Sequence, residues 1–467
     1  MKRLSTSVSA RAVVLAAMIL TVCLLLAQAT AQGAVQAAGH PAAPTAIAGT
    51  AALSTTPTAI AGTAALSTTP AAIAGTAALS TTPTAIAGTA EVVLMAIGDI
   101  ILHQSVIDGG RKADGTWNFD PAFADTKAIL SSADLTVAGY EGTLNGPPYS
   151  GYPLFGGPDA IADAMAAAGI DVVTTANNHA LDRKLAGLVR TPTVLAKAGM
   201  RVVGTRSAAT DPTFRIEDVK GIRIGFTAWT WETIGTETQR TINGNPLPKG
   251  AETLIDSFNP SRPDRYARDL DAMKRRIALM RKAGAECIVF LPHWGEEYVT
   301  ASSRRQRDMA QFLADQGVDI VFGLHPHVLQ EAASVHSSVS GKDTLVFYSL
   351  GGFLSNMDYG THGTKGYALD AIIARATVGR DADGTVRVRA GGFLGTTIVK
   401  EPAAGKLRHR VIPVRRALAD PSAFGLKVRK TLPADADKRI MKVLGSSLTP
   451  AAAAATTSTG IAIHAFE

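Results

Sequence analysis

The first 90 residues of this 467-residue chain contain no Asp and no Glu. Their only basic residues are Lys2, Arg3 and Arg11, so the formal charge of the remainder falls from +7 to +4 (7 minus 3). A small net charge with both signs interspersed excludes a strongly basic nucleic-acid binder. Cysteine is equally scarce. Cys23 and Cys287 are the only two. Cys23 lies in an apolar N-terminal run, so after cleavage one thiol would remain, and neither an intrachain disulfide nor a thiolate zinc site could be built. Aromatics make up 6% of the chain, and the 46% apolar content is inflated by alanine, which is no signature of a multi-span membrane protein.

The acid-free segment divides in two. Lys2, Arg3 and Arg11 precede an apolar run from Ala12 to Ala27, and Ala29-Thr30-Ala31 supplies a small-x-small cleavage pattern. Residues 1–31 therefore read as an export signal. The run is longer than is usual for such signals, which leaves an uncleaved anchor as the alternative. In either case the expected location is extracytoplasmic, secreted or anchored at the cell envelope. Residues 32–90 carry PTAIAGTAALSTT from Pro44, repeated from Pro57 and Pro70 with a truncated copy from Pro83, a period of 13 residues. Ala, Gly, Thr and Pro without charge or aromatics cannot bury enough surface to order a chain, so this reads as a linker. Residues 91–420 are expected to form the folded domain. Residues 421–467 are expected to be a C-terminal extension ending in an Ala-rich tail from about Pro450.

Within 91–420 short apolar runs alternate with helical spacing. Strands are expected at Glu91–Ile97, Leu135–Val137, Asp171–Thr175, Arg201–Val203, Ile222–Ala228, Cys287–Leu291, Asp319–Phe322, Leu345–Ser349 and Arg387–Gly395. Helices are expected at 158–168, 186–198, 264–283 and 303–315, with Gly199 and Gly284 as stops. This alternation predicts a layered α/β fold.

Polar groups follow the strands. Asp99 and His103 follow the first and Glu141 the second. Asn177, Asn178 and His179 follow the third. His293 comes after Leu291, and His325 and His327 after Phe322. Ligands of α/β sheets sit beyond the carboxyl ends of strands, and five of the nine histidines past residue 90 fall at such points. Imidazole, carboxylate and amide oxygen together suit Mn, Zn or Fe. The set exceeds the needs of one tetrahedral ion and suits a two-metal centre, in which a carboxylate bridges and a water becomes the nucleophile. His325 and His327, taken as an extended segment around Pro326, would face one side. His336, His362, His409 and His464 look unconnected, although His362 lies in a Gly-rich loop that could line a site.

The segments GDIILH (98–103), ADLTVAGYEGTL (133–144), DVVTTANNHALD (171–182), FLPHWGEEY (290–298), DIVFGLHPHVLQ (319–330) and FYSLGGFLSN (347–356) resemble the bacterial CapA capsule-synthesis family, linked to poly-γ-glutamate biosynthesis. That family resembles a branch of the calcineurin-like metallophosphoesterases. The resemblance implies an α-β-β-α sandwich and two divalent ions. By it, Asp99 would bind the first ion, Glu141 would bridge, Asn178 and His293 would bind the second, and His325 and His327 would complete the set. His179 would be the catalytic proton donor or support a ligand. His103 and Asn177 would be additional ligands or would touch substrate. Asp182, Glu296 and Glu297 would orient imidazoles, and Trp294 would pack.

Two departures stand out. Gly139 replaces the family's usual Asn two residues before the Glu, and Gly351-Gly352-Phe353 replaces its Gly-Asn-Phe. The loss of two amides points to an altered substrate or weakened catalysis. The implied function is a metal-dependent hydrolase acting outside the cytoplasm on a polymer or phosphoester. The alternative is a non-catalytic component of a capsule assembly complex, beside a membrane-associated polymer synthase, that binds an anionic chain through metal and through Arg304, Arg305 and Arg307. No nucleic-acid partner is expected.

Overall fold

The computed structural model describes residues 91–232, 235–236, 238–426, 431–448 and 460–466. The export signal, the repeat linker and the run 449–459 lie outside the described residues. The strands, in chain order, are β1 (Glu91–Ile101), β2 (Leu135–Glu141), β3 (Val172–Thr174), β4 (Arg201–Val203), β5 (Arg215–Val219), β6 (Ile222–Trp231), β7 (Thr241–Ile242), β8 (Asn245–Pro246) and β9 (Ser257–Phe258). They continue as β10 (Cys287–His293), β11 (Ile320–Phe322), β12 (Ala332–Ser337), β13 (Lys342–Phe347), β14 (Gly352–Leu354), β15 (Asp370–Arg380), β16 (Val386–Ala403), β17 (Lys406–Pro413) and β18 (Ala462–Ala465).

Two large sheets result. The first runs β17-β16-β15-β1-β2-β3-β4, with β14 beside β1 and β18 beside β16. The second runs β12-β13-β11-β10-β6-β5, with β9 beside β6. In both, the middle is parallel. β1 to β4 pair in parallel, as do β6, β10, β11 and β13. Antiparallel strands complete the edges.

One apolar core joins Leu94, Val137 and Val172 of the first sheet to Phe226, Val289, Phe322 and Phe347 of the second. The other face of the first sheet buries Ile97 and Ala138 against Val106, Ile161, Met165 and Leu195 from helices 104–110, 160–167 and 184–197. The outer face of the second buries Ile288, Phe290 and Val321 against Met273, Ile277, Met280, Met309 and Leu313 from helices 263–282 and 304–315. The spacing of Met273, Ile277 and Met280 is the three-to-four-residue stripe that seats a helix on a sheet. Parallel strands covered on both faces read as continuous apolar runs, which is why they were visible in the sequence. Ser303 caps helix 304–315 with Gln306 in a reciprocal box, an arrangement whose capping residue contributes about 1 kcal/mol.

The strands run further than their apolar cores. β1 continues past Ile97 to Ile101, so Asp99 lies inside a strand, at a shift in register between Ile97 and Asp99. β2 continues to Glu141. β5, β12 and β17 lack a long uninterrupted apolar run and were not expected; β15 was not expected either, although it carries the buried run Ala371–Ala374. Of the expected C-terminal extension, helix 431–444 buries Ala436 and Ile440 in the intersheet core, and β18 pairs with β16. Gly98 is fixed by close approach. A Cβ there would lie 1.8 Å from the Gly351 carbonyl oxygen, where β1 meets the turn leading into β14. Among the described residues no helix is long and apolar enough to cross a membrane.

Candidate metal centre

The carboxyl ends of β1, β2, β3, β10 and β11 deliver their polar residues to one buried place. Asp99, Glu141, His293 and His327 are each at most 3% exposed. Glu141 Oε1 is the hub, at 3.8 Å from His179 Nε2, 3.9 Å from His293 Nε2 and 3.7 Å from His327 Nε2. Asp99 Oδ2 lies 3.5 Å from His327 Nδ1, and Asp99 Oδ1 lies 3.7 Å from His293 Nδ1. These separations are long for hydrogen bonds. They match donors sharing an ion, since metal–ligand bonds of about 2.1 Å in tetrahedral geometry put neighbouring donors about 3.4 Å apart.

Among the described residues three groups of donor atoms lie close enough to hold an ion. They are Asp99, Glu141 and His327; Glu141, His293 and His325; and Glu297, His325 and His327. Glu141 is common to the first two. Asn178 Oδ1 adds to the second, 2.9 Å from His293 Nε2. Asp99 Oδ1, Glu141 Oε2 and His327 Nδ1 are buried without a hydrogen-bond partner. Buried polar atoms are almost always satisfied, so three orphans in one cluster fit a cation.

Without an ion the electrostatics are unfavourable. Burial pushes the Glu141 carboxyl well above its usual range, against the pull of His327. Burial and the neighbouring His327 and His179 hold His325 neutral, down to about 3, and His293 is likewise driven far down. Burial also disfavours the His327 cation, but Glu141 and Asp99 outweigh it and raise the group to about 9. His293 and His325 are thus in the neutral state a metal requires, whereas His327 and Glu141 would have to release their protons on binding one.

His325 and His327 do not form an extended segment. They sit in a bend with φ of 97° and 56°. Both are in the left-handed region, which is rare for non-glycine residues and costs roughly 1–3 kcal/mol each. The bend turns His325 Nδ1 to 3.1 Å from His293 Nε2 while His327 faces Asp99 and Glu141. Asp99 Oδ2 accepts the His325 N–H at 3.0 Å and so ties the bend to β1.

The remaining expected residues separate by role. His179 Nδ1 contacts Asp182 Oδ2 at 2.8 Å, and the same oxygen accepts the Phe155 N–H at 2.7 Å. Asn177 donates to the Tyr140 and Thr175 carbonyls and accepts the His179 N–H, and so ties the loop together. His103 Nδ1 accepts the Asn356 N–H at 3.2 Å, and burial and the nearby His327 lower its pKa to about 4. Acceptance at Nδ1 places the proton of the neutral ring on Nε2, from which it can donate. Glu296 and Glu297 are exposed, and only Glu297 joins a group. Trp294 is buried and donates to the Tyr348 carbonyl at 2.9 Å. Arg304 pairs with Asp308, while Arg305 and Arg307 bind serine oxygens.

Sequence reasoning missed Phe155, whose ring meets His103 at 5.2 Å and His179 at 4.6 Å, both edge-on. It also missed Tyr298, which tilts over His327 at 5.9 Å and stacks on His362 at 4.3 Å. Tyr298 closes the FLPHWGEEY segment and Asn356 closes FYSLGGFLSN, so both motifs contained the signal. A cavity of about 190 Å³ lined by Trp231, Ser261, Gly295, His293 and His325 opens on the second donor group.

Gly139 stands opposite Asp99 in the β1–β2 register. A Cβ there would approach Asp99 Oδ1 to 2.8 Å and a Leu324 methyl to 3.1 Å. Gly139→Ala is expected to displace the Asp99 carboxylate and lower bound metal at least tenfold at limiting supply, with unfolding stability reduced by about 1–3 kcal/mol. Elemental analysis and denaturant titration check both. Full metal content would show that Asp99 moves freely.

Fold and cluster together define an α/β protein with a buried carboxylate–histidine–amide centre suited to divalent metal. The chain belongs to the bacterial capsule synthesis protein PGA_cap family, whose model matches residues 93–357, more than half of its length. It is 30% identical over 200 residues to the PGA biosynthesis protein CapA of Bacillus subtilis (strain 168), covering 42% of this chain and 45% of that one. It is 26% identical over 291 residues to the capsule biosynthesis protein CapA of Bacillus anthracis, covering 60% of this chain and 63% of that one. The chain thus spans less than two thirds of either relative. Among solved structures it resembles a 5'-nucleotidase precursor from Thermus thermophilus, at 15% identity and TM-score 0.38, covering 74% of this chain and 59% of that one. It also resembles the NAD nucleotidase of Haemophilus influenzae, at 13% identity and TM-score 0.40, covering 77% and 60%.

Proposed function

We propose that this chain is an exported, metal-dependent hydrolase of the metallophosphoesterase type that acts at the cell envelope on an anionic polymer or phosphoester of capsule biosynthesis. The observation that carries this reading is the Glu141 hub, with two donor groups sharing one carboxylate. Asp99, Glu141 and His327 would hold one ion, and Glu141, Asn178, His293 and His325 the other. Mn, Zn and Fe all suit these donors. When bound, such ions polarise the scissile group and activate water.

The protein groups divide the remaining work. Asp182 accepts from His179 Nδ1–H, which leaves Nε2 to carry and release a proton toward the leaving oxygen. His103, with its proton on Nε2, donates a hydrogen bond to the substrate from the opposite side of Phe155. Phe155 keeps the two imidazoles apart and excludes water between them. The export signal and the association with a membrane-bound polymer synthase belong to the same proposal.

Elemental analysis of the purified chain tests it, with His325→Ala/His327→Ala as control. About two ions per chain in the parent, lost in the double variant, are expected. A folded parent that takes up no metal from Mn or Zn supplied in excess would end the hydrolase reading.

A further inference from the structure

His409 looks unconnected in the sequence, yet one residue ties it to the metal centre. Its Nε2 meets Asn356 Oδ1 at 2.9 Å. The Asn356 N–H in turn donates to His103 Nδ1 at 3.2 Å. A second group holds the same residue, since Lys400 Nζ donates to the Asn356 carbonyl at 2.6 Å. Asn356 is thus pinned at its carbonyl and at its side chain, and its N–H is left aimed at His103.

Lys400 and His409 reach Asn356 together because they are cross-strand partners. Lys400 of β16 stands opposite His409 of β17 in the antiparallel register, and directly opposed side chains share a face. On that face Val411, two residues on, packs with Val106, Phe119 and Phe353 in the helix-covered core of the first sheet. His409 is 4% exposed. Burial and the Lys400 charge lower its pKa to about 4. The ring is therefore neutral, and with an amide oxygen as its partner it donates from Nε2. His409 Nδ1 is buried without a hydrogen-bond partner. The ring gives its one proton to Asn356 and leaves its other nitrogen unsatisfied, which costs free energy. The family model matches residues 93–357. His103 and Asn356 lie inside that stretch, whereas Lys400 and His409 lie beyond it.

We infer that Lys400 and His409 are positioning residues, which hold Asn356 so that its N–H covers His103 Nδ1 and leaves the His103 Nε2–H to donate. The use of that N–H on a substrate rests on the hydrolase reading above; the brace itself does not.

The tautomer of His103 reads the brace directly. The full chain is prepared metal-free in chelator at neutral pH with isotope-labelled histidine. The imidazole nitrogen NMR signals of His103 are assigned by their loss in His103→Ala. The parent is expected to show Nδ1 as a hydrogen-bonded acceptor and Nε2 as protonated. His409→Phe and Lys400→Met are each expected to bring a mixture of both tautomers. His409→Gln, whose amide N–H can replace the imidazole donor, is expected to restore the parent signal. Arg408→Ala, exposed on the opposite face of β17, is expected to leave it unchanged. In the metal-loaded protein, His409→Phe is expected to lower kcat/KM for ester hydrolysis about tenfold in the parent background and not at all in the His103→Ala background. A contact that merely docks β16 and β17 would lower both alike. Three results would each overturn the inference. One is a parent Nδ1 that is itself protonated toward the Ile101 carbonyl, a contact that favours the charged ring. The second is a parent-like His103 signal in both His409→Phe and Lys400→Met. The third is additive losses in the His103→Ala background. If His409→Phe does not fold, Lys400→Met, a change at the end of a half-buried side chain, decides the matter by the same signal. A chain that hydrolyses no ester sinks the hydrolase, and the metal-free NMR signal still decides the brace.

Discussion

Glu141→Gln is expected to strip most metal from the protein, to reduce hydrolysis by at least about 10³-fold (~4 kcal/mol), and yet to leave the metal-free protein more stable than its parent. Glu141 lies under 4 Å from the Nε2 atoms of three histidines, and it is the only residue shared by the Asp99–His327 and His293–His325 groups. An amide keeps its shape and removes its charge. Two ions cannot be drawn together without an anion between them, so both sites weaken at once. The stability change has the opposite sign because burial penalises the Glu141 carboxylate more than the neighbouring His327 favours it. The folded-state pKa of Glu141 is raised well above its usual value. A raised carboxylate pKa means that the folded state binds a proton the unfolded state releases. This destabilises the metal-free protein increasingly as pH rises above the unfolded value of about 4.3. Glutamine has no such penalty. Denaturant titration in chelator at pH 5 and pH 8 checks it, with parent stability expected to fall between the two and the variant to change less. A variant that keeps its metal, or is less stable in chelator at pH 8, would show that Glu141 is a structural acid.

His179→Asn is expected to reduce turnover by about 10²–10⁴-fold with metal content unchanged. Its Nε2 faces Glu141 at 3.8 Å, while its Nδ1 is held by Asp182 and its N–H by Asn177. A side chain held at Nδ1, on a backbone held by Asn177, and packed edge-on against Phe155 is built to present one nitrogen in one direction. If that nitrogen protonates the leaving oxygen, the loss should shrink when the leaving group needs no proton. An aryl phosphoester with a nitrophenolate leaving group should therefore suffer far less than an alkyl ester. Asp182→Ala should reproduce part of the defect, because it frees the imidazole and also deprives the Phe155 N–H of its acceptor. Equal losses on both esters, or a fall in bound metal, would make His179 a ligand and not a proton donor.

The family's two missing amides gain a partial physical account. Gly139 leaves no room for any side chain while Asp99 keeps its place, so this chain has fitted its centre around a bare backbone there. Gly351 has φ of 78°, and its carbonyl oxygen accepts the Asp99 N–H at 3.3 Å. Gly352 has no neighbour closer than 3.6 Å to a Cβ placed on it, and nothing in the structure explains its lack of a side chain.

The sequence by itself determined the candidate residues of the cluster and the layered α/β class. Parallel strands buried on both faces must be apolar throughout, so their ends, and the polar residues after them, stand out as breaks in composition. That is why Asp99, Glu141, Asn178, His179, His293, His325 and His327 were legible one by one. Half-exposed edge strands such as β5 and β12 carry mixed composition and left no comparable trace. Only the tertiary structure decided which of these residues meet, and how. Asn177 and Asn178 are adjacent in sequence, yet one secures a loop and the other faces His293, because chain direction through a turn is set by long-range hydrogen bonds. His325 and His327 converge through two left-handed residues that the surrounding fold over-determines, and no spacing rule predicts strain. The tautomer of His103 is set by the N–H of Asn356, 253 residues away, which donates to its Nδ1. The chemistry of each side chain is local. Its protonation, its tautomer and its partners are set by what the fold brings against it.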